Sequence, residues 1–435
     1  MALGGGTFVT QNKKLPGSYI NFVSAAKASA TLSERGYATM PLELDWGKEN
    51  AVFEVTNGDF QKNSLKIFGY AYTDNHLKGL RDLFLNTKTL YAYRLNGGGA
   101  KASNTFATAL YGGTRGNDLK IRIQANADVP SSFDVTTLLG TTVVDEQTVK
   151  KASELKANDY VTFKSGAQLA VTAATPLAGG TNGTVDGAAH QKYLDKIESY
   201  TYNTMGVVTT EDTIKTLYTS FCKRLRDEMG VKFQLCIYNK AADFMGTINV
   251  KNKVLDDGAN EASLIYWATG VSAGCEVNKS NQNKKYDGEF TIDTDFTQSQ
   301  LEGCLDAGEW VLHQVGTDVR VLEDINSMVT VSDTCGDVFK DNQTVRVCDQ
   351  IANDIAVIFN TRYMGTVPND NAGRLSLWAD IVKHHQQLND IRALENFSDT
   401  DVTVSQGDSK KSVVVSDAVT VVNAMDKLYM TVTVS

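Results

Sequence analysis

The side chains able to do chemistry in this sequence are few and far apart. The histidines are His76, His190, His313, His384 and His385. His384 and His385 are neighbours, so on a helix they point about 100° apart and cannot grip one ion together. No HExxH or other ligand spacing accompanies them. Six cysteines, Cys222, Cys236, Cys275, Cys304, Cys335 and Cys348, contain no CxxC pair. In a chain of this length they read as reduced core residues, not as disulfides or a metal site. The paired acids Asp256-Asp257 and Asp293/Asp295 lie in polar loop or edge sequence and read as solvated charges, not a hydrolase dyad. Asp287-Gly288-Glu289 lacks the further oxygen ligands of a calcium loop. There is no GxSxG elbow and no GxxxxGK[ST] phosphate loop. Gly97 to Ala102 formally fits G-x-G-x-x-A, but polar Ser103-Asn104-Thr105 and strand-type sequence follow where a helix N-terminus would have to hold a pyrophosphate. This stretch reads as a flexible domain junction. No catalytic, cofactor-binding or metal residue is assigned, no cofactor is expected, and the chain does not read as an enzyme.

The elements that could position such groups carry more information. The 435 residues exceed what one core usually serves, so about three domains are expected. Hydrophobic residues make up 42% and charged residues 21%, which argues against global disorder. The net charge of −9 opposes a broadly basic nucleic-acid surface, while a local patch stays open. The longest apolar runs, Leu264–Ala268 and Ile355–Phe359, fall far short of the ~20 residues of a bilayer span. The start, MALGGGTFVTQNKK, does not read as a secretion signal.

Residues 1–30 are too poor in large apolar groups to bury a core. Within them Ser18–Val23 reads as a short strand opened by Pro16-Gly17, either a frayed end or an arm that orders on a partner. Residues 31–95 read as mixed α/β, with a strand at Ala51–Thr56, a helix at His76–Leu85 and a strand at Thr89–Leu95. Residues 96–182 turn to Gly, Thr, Val, Asn and Ser. Short strands at Leu119–Gln124, Asp134–Leu139, Tyr160–Lys164 and Leu169–Ala173 indicate a small β-sandwich or barrel. Residues 183–335 return to α/β. A strand at Met205–Val208, a helix at about Glu211–Met229 capped by Thr209 or Thr210, and a strand at Val231–Tyr238 form a βαβ unit with parallel pairing. The helix buries Ile214, Leu217, Tyr218, Phe221, Cys222 and Leu225. Glu261–Ala273 reads as another helix, and Trp310–Gln314 with Asp318–Leu322 as a hairpin. Residues 336–435 hold helices at about Thr344–Met364 and Gly373–Leu394, broken by Pro368-Asn369, then strands at Lys411–Ser416 and Lys427–Val434. The last alternates fully: Leu428, Met430, Val432 and Val434 on one face, Tyr429, Thr431 and Thr433 on the other. Such a strand must pair with something, in the simplest case its own domain.

The order of these units resembles a known family. A Gly-rich start leads into PGSYINF at 16–22. YGGTRGNDLKIRI opens the sandwich, TTEDTIK and FQLCIYN lie in the second α/β stretch, and DAVTVVNAMDKLYMTVTVS ends the chain. Over essentially its whole length the sequence resembles contractile tail sheath proteins of phages, prophages and R-type bacteriocins of Gram-positive bacteria. The resemblance implies a central α/β domain of subtilisin-like, non-catalytic fold with an inserted β-sandwich and a C-terminal α+β domain. It implies a subunit of stacked hexameric rings around an inner tail tube, in contact with baseplate and tail terminator proteins. Contraction of such a sheath drives the tube through a bacterial envelope, for genome ejection or bacteriocin killing. Neither direct nucleic-acid binding nor membrane insertion is implied. The location would be a phage tail or bacteriocin particle assembled in the host cytoplasm. By similarity, Tyr19, Ile20, Asn21 and Phe22, and Leu428, Tyr429, Met430, Thr431, Val432, Thr433 and Val434, would be strands exchanged between subunits. A β-rich, adhesin-like surface-binding protein is the alternative suggested by the sandwich; an enzyme with a non-standard α/β site is a third.

Overall fold

The computed structural model describes residues 32–434. The predicted arm strand at 18–23, with Tyr19, Ile20, Asn21 and Phe22, lies outside them.

The chain first lays down β1 (Tyr37–Leu42), β2 (Phe53–Thr56), α1 (Asn57–Phe68), α2 (Lys78–Phe84) and β3 (Thr89–Arg94). It then leaves for β4 (Ala107–Ala109), β5 (Leu119–Ala125), β6 (Phe133–Leu139), β7 (Thr142–Val149), β8 (Val161–Phe163) and β9 (Thr172–Pro176). It returns through α3 (Gly187–Ile197), β10 (Thr204–Val207), α4 (Asp212–Asp227), β11 (Gln234–Tyr238), β12 (Thr247–Val250), α5 (Leu264–Gly274), α6 (Gln298–Asp306) and β13 (Glu309–Trp310), followed by the hairpin β14 (Leu312–Val315) and β15 (Asp318–Val321). The final unit is α7 (Asn342–Ile358), α8 (Asn371–Asp390), β16 (Leu394–Glu395), β17 (Val402–Gln406), β18 (Val413–Asp417) and β19 (Thr420–Val421).

One seven-stranded sheet, in the order β13-β12-β11-β10-β1-β3-β2, joins strands from before and after the excursion. All its neighbours run parallel except β2, which is antiparallel to β3. Crossover helices therefore cover both faces. Ala38, Met40 and Leu42 of β1 face a core shared with α1, α2 and α5. The opposite face packs Tyr193 and Leu194 of α3 and Tyr218 and Phe221 of α4. The predicted stripe on α4 is buried as expected, with Leu217 partly so. Its cap differs. Glu211 stands at the cap position with no side-chain bond, and the Thr209 hydroxyl accepts from the Glu211 amide instead (3.1 Å).

The excursion is a β-sandwich, with the sheet β7-β6-β5-β9 packed against the pair β4-β8. Ile121, Ile123, Val135 and Val161 fill it, and Trp46 from the main body inserts into the same core. The junction is not the flexible link expected from Gly97–Ala102. A Cβ on Gly99 would lie 1.8 Å from the Thr181 carbonyl oxygen, and one on Gly183 2.1 Å from that of Gly97. The two crossing chains touch backbone to backbone, which only glycine permits. Arg94, fully buried, locks them by donating to the Gly112 carbonyl (2.7 Å) and to Asn182 Oδ1 (3.3 Å).

Candidate intersubunit strand-pairing site

The final unit begins with two well-made helices. Asp341 caps α7 by accepting from the amides of Gln343 and Thr344 (2.7 and 3.0 Å). Asp370 caps α8 through the Gly373 amide (2.8 Å). A π-helical turn, Phe359–Tyr363, extends α7 before the break at Pro368. The antiparallel hairpin β17–β18 lies on α8, with Val402, Val404 and Val413 packed on Ile381, Val382 and Leu377. Within the described residues neither strand has a second neighbour, so both outer edges are open. A two-stranded ribbon is marginal by itself, and open edges are templates for another strand. A groove of about 740 Å³ beside the hairpin is lined by Phe359, Tyr363, Val367, Arg374, Leu377 and Val413.

Beyond β19 the chain is tied down for a few residues only. Gln343 brackets it, donating to the Val422 carbonyl (2.9 Å) and accepting from the Ala424 amide (3.0 Å). Gln282 donates to Asp426, and Lys427 lies 3.7 Å from Glu323. From Leu428 to Val434 no backbone or side-chain hydrogen bond is made within the described residues. Leu428, Tyr429, Met430, Val432 and Val434 are all exposed, Leu428 at 86% and Val434 at 90%. Among the described residues the expected strand 427–434 is therefore not a strand, and it pairs with nothing in its own domain. Its alternation is intact, but among the described residues no neighbouring strand completes the backbone ladder.

The other end of the described chain is anchored to the same unit. Ser33 Oγ donates to Asp354 Oδ1 (2.5 Å), and Gln350 Nε2 donates to both Ser33 Oγ (2.6 Å) and Asp354 Oδ2 (2.8 Å). Burial alone would push the Asp354 carboxyl up, but hydrogen bonds from His384, Ser33 and Gln350 outweigh it and hold it below the usual range. Arg226 of α4 reaches across to Asp349 of α7 in a buried bidentate pair (2.6 and 2.8 Å). Burial works against the Arg226 charge, yet the facing carboxylate leaves it above the ordinary arginine value.

The remaining chemistry-bearing residues serve the fold. Cys222, Cys236, Cys275 and Cys304 are buried, Cys335 and Cys348 are half-buried, and all six are free thiols. Asp256 is not a solvated charge: it pairs with Lys78 (2.6 Å) and accepts from the Thr291 amide (2.7 Å). Asp287 accepts from the Trp267 indole (2.7 Å), and Glu289 pairs with Arg81 (2.6 Å). His384 and His385 do not diverge as helical spacing suggests. Their rings turn toward each other, with Nδ1 atoms 3.2 Å apart. Among the described residues no group of three or more His, Cys, Asp or Glu could hold a metal ion. Ser33, Asp354 and Asp417 gave no signal in the sequence, because their partners lie 30 to 321 positions away; the adjacent histidines were the one visible trace.

Comparison with known proteins bears on the whole chain. Residues 183–327 match the family described as phage tail sheath protein central domain, and 335–435 the phage tail sheath C-terminal domain. Residues 96–182 match the phage tail sheath β-sandwich domain, and 35–95 the N-terminal region of domain III of the tail sheath protein Gp18. The phage-like element PBSX protein XkdK of Bacillus subtilis (strain 168) is 32% identical over 469 residues, spanning 100% of both chains. The chain belongs to the phage tail sheath family. A sheath tail protein of Desulfitobacterium hafniense, solved by crystallography, is 36% identical with a TM-score of 0.79, covering 90% of this chain and 93% of that one. The fold alone extends further, to the sheath complex of an extracellular contractile injection system in its contracted state (12% identity, TM-score 0.58, 98% of each chain). A tail sheath protein has a structural role as a component of a virion or related particle. No helix among the described residues is long and apolar enough to cross a membrane.

Proposed function

We propose that this sheath protein polymerises by exchanging strands between copies, and that the polymer contracts around an inner tube. The observation that carries the reading is the coexistence of an exposed alternating segment, 428–434, unpaired among the described residues, and a hairpin with two open edges, β17–β18. Leu428, Tyr429, Met430, Thr431, Val432, Thr433 and Val434 of one copy add to the hairpin of a second, by β-augmentation. Tyr19, Ile20, Asn21 and Phe22 supply the strand from the other end. Each six-residue strand contributes about 4–6 hydrogen bonds at roughly 0.5–1.5 kcal/mol. Each fully buried side chain adds about 1.5–3 kcal/mol. Ordering costs about 1–2 kcal/mol per residue. One link is marginal, but several links per subunit around a ring are not.

In this reading the chain divides into a linking arm (1–30), an α/β domain in two parts (31–95 and 183–335) interrupted by the sandwich (96–182), and a linking C-terminal domain (336–435). The partners are other copies in stacked hexameric rings, the inner tail tube protein, and baseplate and terminator proteins. Assembly takes place in the bacterial host cytoplasm. The extended sheath is metastable, and a signal at the baseplate releases a wave of rigid-body rearrangement to a shorter, wider lattice. The work comes from that lattice change, with no catalytic step. The sandwich sits outermost. Its complete protection from protease in assembled particles would contradict that placement.

Electron microscopy of purified full-length protein tests the reading. Long tubular polymers are expected. Variants lacking 1–23 or 427–435 should fold and stay unassembled. A monodisperse full-length monomer would instead favour a binding protein of the adhesin type.

A further inference from the structure

The roots of both linking segments meet at one side-chain chain whose centre, Asp354, His384 and His385, is buried and whose ends, Ser33 and Asp417, are exposed. It runs Ser33, Asp354, His384, His385, Asp417. His384 Nε2 lies 2.9 Å from Asp354 Oδ2, and His385 Nε2 lies 2.8 Å from Asp417 Oδ2. Both rings are fully buried. Ser33 stands just before β1, at the start of the described residues. Asp417 ends β18, eleven residues before Leu428.

We propose that this chain is a proton clasp: a single proton held between the two Nδ1 atoms closes it, and gain or loss of that proton opens it. The donor inventory leads there. Each carboxylate only accepts, so each facing Nε2 must carry a hydrogen. Two neutral rings of that tautomer would point bare Nδ1 lone pairs at each other across 3.2 Å. One added proton converts that contact into an N–H···N hydrogen bond, making one ring a cation between two anions. A second added proton would set two N–H groups head to head. The proton is exchanged with solvent and no other bond changes.

The groups facing the pair from each neighbouring element fit this count. The element α7 offers Asp354 and the neutral Gln350. The segment before β1 offers Ser33 and, near enough to sense the Asp354 charge, Arg35, whose guanidinium is engaged by the Ser272 and Cys275 carbonyls. From β18 comes Asp417, and from the β16–β17 connection the Phe397 ring, 5.2 Å from His385. One turn earlier on α8, Asp380 is occupied by Arg362 and Tyr363. No second cation meets the pair among these groups. The consequence for assembly rests on the strand-exchange reading: opening the clasp frees both roots at once and loosens the links on both sides of a subunit.

The test uses the full-length chain labelled with ¹⁵N-histidine, which gives only five rings to resolve. Near neutral pH, two rings should show protonated Nε2 atoms and a coupling between their Nδ1 atoms through one shared proton. Amide exchange at residues 33–36 and 413–422 should be slowest there and at least tenfold faster on both the acid and the alkaline side. His384→Gln/His385→Gln should flatten that bell. Two rings titrating independently, with bare Nδ1 atoms near neutrality, would overturn the clasp, and the wild-type spectrum decides this even if the variant does not fold. Independent titration would leave strand exchange standing. An intact clasp in a protein that never polymerises would overturn strand exchange and leave the clasp.

Discussion

The seven-stranded sheet and the β17–β18 hairpin are built from equally regular strands, yet they end in opposite conditions. In the large sheet, every residue of the inner strands β11 and β12 is buried, and these two strands have neighbours on both sides. In the hairpin, four of the five residues of β18 are exposed, and the alternating segment that follows pairs with nothing among the described residues. The first region satisfies its backbone within one molecule. The second leaves donors, acceptors and apolar side chains uncovered among the described residues, which the proposed strand exchange would cover. A repeating assembly needs both: a body that keeps its shape and an edge that is unfinished until copies meet.

Substitutions separate the two regions, and the closed one should answer most strongly. Arg226→Ala strands Asp349 in a buried site, and removing one partner of such a pair costs about 3–5 kcal/mol. Urea unfolding should register that loss; less than ~1 kcal/mol would mean the helices α4 and α7 merely abut. Next comes the junction. Gly99→Ala drives a methyl into the Thr181 carbonyl, so roughly 1–3 kcal/mol of overpacking is expected. Faster protease cleavage near 96–103 and 178–184 should accompany it. A smaller effect depends on pH. Burial lowers His190 from 6.5 to about 4 while its Nδ1 bonds to the Tyr218 hydroxyl (2.8 Å). The unfolded chain takes up that proton below about 6.5, whereas the fold resists it until about 4. Stability is therefore lost as pH falls through this window. His190→Gln should reduce the slope of melting temperature between pH 7 and 5. Least affected is the open region. Val432→Asp should leave monomer stability within about 0.5 kcal/mol while abolishing polymers seen by sedimentation. A large loss of monomer stability would show that this segment already belongs to its own core.

The same contrast explains what could be read from residue order. The helix α4 was legible because six apolar side chains repeat at helical spacing, and its βαβ setting followed. The helix α1 was not: its buried residues are Phe60, Ser64 and Phe68, a stripe too thin to stand out. The strand β7 escaped because Asp145, Glu146 and Gln147 interrupt any alternation on its exposed faces. Pro41 disguised β1. The structure tolerates it because pairing with β10 involves only Ala38 and Thr39, leaving Pro41 beside β3 alone. For the proposed linking site, period two marks 428–434 as a strand pattern, but the partner strand proposed on another copy leaves no trace in one chain. The ion pair Arg226–Asp349 joins residues 123 positions apart, and the contacts of His384 with Asp354 and of His385 with Asp417 join residues 30 and 32 apart, which no local pattern encodes.

A cryo-EM reconstruction of the assembled polymer, at a resolution that traces side chains, bears most directly on the unfinished edge. The account predicts density for Leu428–Val434 hydrogen-bonded along an open edge of β17 or β18 in an adjacent copy. Density in which that segment folds back on its own hairpin, with every neighbouring edge left bare, would contradict it.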